Sequence, residues 1–136
     1  MTLDEQIDAL ARVPIFAGLS RRSLKRIAQA SSEVDVRAGQ VLIEPRAKGS
    51  GLFVLLGGTV EVEMRGREST ELGPGEFFGE LALLTPDAVR TARVRAKTPV
   101  RCLTITHDEF RKLLAAEPKV ALAILETVAA RLAALL

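Results

Sequence analysis

Between Ser32 and Thr106 the chain runs as short β-rich stretches, VDVR, QVLIE, LFVLLGG, TVEVEMR, ARVRA and VRCLTIT, broken by glycine and proline. Such runs read as strands. In TVEVEMR, Val60 and Val62 alternate with Glu61 and Glu63, the period of a strand with one wet face. Turns are expected at Ala38-Gly39, Lys48-Gly49-Ser50-Gly51, Gly57-Gly58 and Gly73-Pro74-Gly75. Gly57 and Gly58 separate two strands and are read as turn residues able to take positive φ, not as ligand contacts. Strands this short and closely spaced, mostly with no helix between them, predict an antiparallel roll or barrel and not a parallel sheet.

Helical periodicity occupies both ends. Leu3, Ile7, Leu10 and Ala11 predict a first helix over Leu3 to Val13, stopped by Pro14. Ser20 is a good cap for a second, with Leu24, Ile27 and Ala28 on one face and Arg21, Arg22, Lys25 and Arg26 on a solvated one. Beyond the strands, Thr106 caps a helix through Lys112 and Leu114, with Asp108 and Glu109 where the helix dipole favours acids. Pro118 then starts a last helix from about Lys119 to the end. It is apolar at Val120, Ile124, Val128 and Leu132, and also at Leu122, Leu125, Ala129 and Leu136. That stripe is too wide for one contact. It predicts packing against the roll on one side and, on the other, a second copy or a fused effector domain. The 136 residues suit one domain over 1–136, with N-terminal helices over 1–31, the roll over 32–106 and C-terminal helices over 107–136.

Composition narrows the function. The charge of +2 comes from 19 basic and 17 acidic residues, scattered and not massed, so nucleic-acid binding is not indicated. The acidic start MTLDEQIDALARV is no targeting segment, and no uncharged run reaches the roughly eighteen apolar residues a membrane span needs. Cys102 is the one cysteine, read as a small core residue, and a reducing cytoplasm suits the chain. With His107 the one histidine, the side chains needed for a metal-dependent enzyme of roll type, a haem or iron–sulfur sensor, or an acyl-transfer triad are missing. No catalysis and no metal are expected.

The densest chemistry lies in GPGEFFGELALLTPDAVRTARV, residues 73–94. Glycines 73, 75 and 79 lead into ELALL, which has helix formers enough for about one turn, so free backbone N–H groups would converge on an anion. Arg90 beside Val89, Ala92 and Val94 could meet that anion with two parallel hydrogen bonds. Glu80 would repel a phosphate. It suits a neutral donor such as a sugar hydroxyl, or a structural ion pair with Arg90 that ties the turn to a strand.

FGELAL over 78–83, followed ten positions after Glu80 by RTA over 90–92, resembles the phosphate-binding cassette of cyclic-nucleotide-binding domains. Such domains occur in bacterial catabolite activator proteins, protein kinase A regulatory subunits and cyclic-nucleotide-gated channels. VPIFAGLSRRSLKRIA, AGQVLIE, LFVLLGGTVEV and HDEFRKLL resemble the flanking helices and strands of the same family. The resemblance implies a mainly β fold with flanking helices. This is an antiparallel double-stranded β-helix, or jelly-roll-like β-roll, with N-terminal helices, a short helix inside the cassette and two C-terminal helices. It also implies a regulatory ligand, cAMP or cGMP. Glu80 would bind the ribose 2'-hydroxyl and Arg90 the exocyclic phosphate oxygens, while Gly79 and backbone N–H groups around Leu81, Ala82 and Ala92 complete the cradle. Thr91 would touch the phosphate and, in a cGMP complex, the guanine amino group. The loop TPDAV departs from members with proline directly before the arginine, and the last helix stops about where members cap the purine. Arg131 is the remaining candidate for a base contact. The alternatives are a ligand-free interaction domain dimerising through the last helix, and the sensor half of a transcription factor without its DNA-binding part.

Overall fold

A computed structural model describes residues 1–45, 51–79 and 92–136. The expected turn around Lys48-Gly49-Ser50 and the short cassette helix lie outside the described residues. Helix α1 (Leu3–Ala11) opens with a capping box: the Thr2 hydroxyl accepts from the Glu5 N–H at 3.1 Å, and the Thr2 N–H donates to Glu5 Oε1 at 2.9 Å. The helix ends two residues before the expected Val13. Val13 is extended and caps a 3-10 turn, Pro14–Phe16, which drives Ile15 and Phe16 into the core. Helix α2 (Arg21–Ala30) is capped by Ser20 as expected, its hydroxyl accepting from the Ser23 N–H at 3.1 Å.

Strand β1 (Ser31–Val36) follows α2 without a loop, so the strands begin one residue earlier than expected. It is followed by β2 (Val41–Ile43), β3 (Gly51–Gly57), β4 (Val60–Glu63), β5 (Thr70–Leu72), β6 (Phe77–Phe78), β7 (Arg93–Ala96) and β8 (Val100–Thr106). They form two antiparallel four-stranded sheets, ordered β1-β8-β3-β6 and β2-β7-β4-β5. At Gly57-Gly58 only Gly58 takes positive φ, +84°, and a Cβ there would lie 2.1 Å from the Pro99 carbonyl oxygen. Gly57 ends β3 where its pairing with β8 shifts register.

Helix α3 (His107–Ala116) is capped by Thr106, and helix α4 (Pro118–Leu135) begins on its proline. Two cores result. The first sheet buries Leu52, Val54, Phe77, Leu103 and Ile105 against the 3-10 turn and α1, α2, α3 and α4, through Leu10, Phe16, Ile27, Phe110, Val120 and Ile124. Its other face meets the second sheet inside the roll, through Leu55, Val60, Phe78, Val94, Ala96 and Cys102. A sheet covered on both faces needs near-continuous apolar strands, which accounts for LFVLL. The second sheet is wet outside. There Glu61 and Glu63 register opposite Arg95 and Arg93, and Glu63 bridges to Arg95 at 3.3 Å and Arg93 at 3.9 Å. Among the described residues no helix is long and apolar enough to cross a membrane, and no acidic, histidine or cysteine cluster could hold a metal ion.

Candidate ligand-binding site

The turn before β6 is tied down on both sides. The Gly73 N–H donates to Glu76 Oε2 at 2.7 Å, the Gly75 N–H to the Leu55 carbonyl at 2.8 Å, and the Leu55 N–H to the Glu76 carbonyl at 2.9 Å. Gly75, at φ +89°, makes the bend that a side chain would strain. This anchoring delivers two adjacent phenylalanines to opposite cores: Phe77 to the helix side and Phe78 to the roll interior. Phe78 stacks on Phe53 with ring centroids 4.9 Å apart and planes 4° from parallel.

Gly79 follows at φ +96°, half-buried, where the chain leaves the edge of the first sheet. The chain rejoins the second sheet at β7, between β2 and β4, with half-buried Ala92 just before it. Of the expected ligand-binding residues, Gly79 and Ala92 therefore flank one connection between the two sheets. Glu80, Leu81, Ala82, Arg90 and Thr91 belong to that connection and lie outside the described residues. Arg93 turns outward to Glu44 at 3.3 Å and Val94 turns into the roll, so the basic residues of β7 are committed to the outer ladder.

Arg131 reaches the same sheet edge from α4. Its guanidinium hydrogen-bonds the Phe77 carbonyl oxygen and lies over the Phe77 ring, with Cζ 4.6 Å from the centroid. Sequence reasoning left Phe77 without a role. The pair FF between Gly75 and Gly79 was the available signal for a short buried strand, but nothing in the sequence joins it to a residue 54 positions away. Leu113 and Leu114 are half-buried against the helix-side core. Leu125 is 64% exposed, because it lies off the face of α4 that carries Val120 and Ile124. The cavity of about 260 Å³ between α2 and α3, lined by Ile27, Ile105 and Leu113, touches neither Gly79 nor Ala92.

Residues 33–117 match the family model for the cyclic nucleotide-binding domain. The chain is 37% identical over 125 residues to glutaminase 2 of Bradyrhizobium diazoefficiens, covering 91% of this chain and 20% of that protein. It is 29% identical over 130 residues to the CRP-like cAMP-activated global transcriptional regulator of Mycobacterium tuberculosis, covering 92% and 58%. It thus spans less than two thirds of either relative. The catabolite activator protein of Thermus thermophilus superposes with a TM-score of 0.76 at 25% identity, over 88% of this chain and 58% of that one. A family model that fits most of the chain, together with a roll of two antiparallel sheets, shows that this chain belongs to the cyclic nucleotide-binding domain family.

Proposed function

We propose that this chain is a regulatory module that takes cAMP in preference to cGMP and passes occupancy to an effector through its C-terminal helices. The carrying observation is that FGELAL begins at Phe78, which stacks on Phe53 at the end of β6, and RTA ends one residue before β7, so the pattern spans one connection between the two sheets. In this reading Glu80 accepts from the ribose 2'-hydroxyl, and Arg90 donates two parallel hydrogen bonds to the exocyclic phosphate oxygens. The N–H groups of Leu81, Ala82 and Ala92 complete the cradle, Gly79 supplies its bend, and the Thr91 hydroxyl touches the phosphate. The preference for cAMP rests on the relative named for cAMP activation. The chain acts as one unit over 1–136, in the cytoplasm, and its output is the work of a fused or associated effector and not of catalysis by the module.

A ligand shifts the helices only if it binds one arrangement better than another. The half-buried Leu113 and Leu114 provide an apolar surface over which such arrangements can differ. Calorimetric titration with cAMP and cGMP tests the proposal. Arg90→Ala removes a charged partner whose hydrogen bonds contribute about 1.5–3 kcal/mol each, so its affinity falls at least roughly tenfold. Absence of heat with either nucleotide, or equal binding by the variant, would overturn it.

A second reading concerns the partner. Leu122, Leu125 and Leu132 of α4, with Leu136 just past its end, are exposed at heptad spacing, with Ala129 among them, which favours a homodimer through that helix.

A further inference from the structure

The first half of α4 is fixed by Val120 and Ile124, at 0% and 2% exposure, with Val128 half-buried behind them. Farther along, Leu132, Leu135 and Leu136 lie exposed, and Arg131 carries a polar contact from the helix to the roll. Its acceptor is placed by the sheet. β6 is an edge strand whose Glu76 carbonyl bonds inward to the Leu55 N–H. Strand alternation therefore turns the next carbonyl, that of Phe77, off the free edge, where a buried backbone oxygen needs a donor. Arg131 supplies it and covers the ring of the same residue. One residue of α4 thus holds both the backbone and the side chain of the strand that runs, two residues later, into Gly79.

We infer that Arg131 is a positioning residue that couples the cassette to the end of α4. A displacement of the chain at Gly79 is carried by the rigid pair Phe77-Phe78 to the guanidinium, and through it to the last turns of the helix. Phe77 cannot yield freely, because its side chain is 2% exposed and its neighbour Phe78 is stacked on Phe53. Coupling of this kind requires an element that both sites bias, and β6 with its Arg131 contact is that element. The inference rests on the proposed cyclic-nucleotide site for its effector, while the tie itself stands on contacts within the chain.

Amide hydrogen exchange on the whole chain, followed at 77–79 and 128–135, tests both parts. Without nucleotide, Arg131→Ala should exchange at 128–135 roughly tenfold faster than wild type, the loss of one charged hydrogen bond. Arg131→Lys, which keeps the charge but not the planar fork, should fall between. At saturating cAMP, wild type should change its exchange at 128–135, and Arg131→Ala should show a change at 77–79 that no longer reaches the helix. Equal exchange in wild type and Arg131→Ala without nucleotide would overturn the tie; weakened cAMP binding with wild-type exchange is the outcome a base contact alone predicts. An identical cAMP-driven change at 128–135 in both proteins, or none in wild type that does bind cAMP, would overturn the coupling. If wild type binds no cyclic nucleotide, the proposed site fails, and the nucleotide-free comparison still decides the tie.

Discussion

Cys102 lies on β8 opposite Val34 of β1, fully buried in the roll interior, with its thiol 3.8 Å from the Val34 carbonyl oxygen. Burial, assisted by the nearby Asp35 carboxylate, pushes the thiol from its ordinary value near 9 up to about 11. Below pH 9 the thiol is protonated in both the folded and the unfolded chain and contributes nothing to pH dependence. Between 9 and 11 the unfolded chain loses this proton and the folded one keeps it, so stability falls as pH rises, by about 1.4 kcal/mol per pH unit. Urea unfolding at a series of pH values should therefore show wild type losing about 2–3 kcal/mol more than Cys102→Ala across that window. Parallel pH profiles would contradict the assignment. The inward position of this residue was legible in VRCLTIT, as was the alternation of Val60, Glu61, Val62 and Glu63. What the Glu residues face was not, because the register that brings Arg93 and Arg95 opposite them is set by two strands far apart in sequence. For Glu80 and Arg90 the reverse holds: their pattern was legible, and their contacts are the part that titration must supply.

Elements with local signals are legible in the sequence, and those defined by tertiary contact are not. Ser20, Thr106 and Pro118 mark their helix starts by capping chemistry that acts within one turn. α1 ends before its apolar period does, because that period continues to Val13, whose burial is achieved in an extended conformation instead. β5 and β6, three and two residues long, are too short to display any period, and only their partners β4 and β3 define them. The same contrast orders the energetics of the helices. Arg21 joins α2 to α1 through Asp4 at 3.0 Å and Asp8 at 3.3 Å, yet all three side chains are more than half exposed. Arg21→Ala should therefore leave the stability almost unchanged. Phe110 of α3 is fully buried among the helices and the first sheet, and Phe110→Ala should cost about 3–5 kcal/mol, by its transfer from water and the cavity it leaves. Denaturant midpoints of the two variants check the ordering; comparable losses would mean that the helices are held by ion pairs and not by their core.

At the scale of the whole molecule, two cores divide the labour: one fills the roll between its two sheets, and the other seats the helices against the first sheet. α4 belongs to the second core by one face and leaves another uncovered. At about 100° per residue, Val120, Ile124 and Val128 share a face with Arg131, while Leu122, Leu125, Ala129, Leu132 and Leu136 cluster about a third of a turn away. Spacings of three and four in alternation form the seam of a two-stranded coiled coil, and a seam related to itself by a two-fold axis needs no other partner. Burying each leucine side chain contributes about 1.5–3 kcal/mol, enough over several to hold two chains together in the micromolar range. Sedimentation over that range should give a dimer for wild type and a monomer for Leu125→Glu and Leu132→Glu. Because these side chains are already 64% and 59% exposed, both variants should keep the folded circular dichroism of the wild type. Ile124→Glu should instead unfold the chain, since that residue is 2% exposed and a carboxylate there has no partner in the core. A wild type that sediments as a monomer throughout would remove the second copy as the occupant of this face and leave it to an effector.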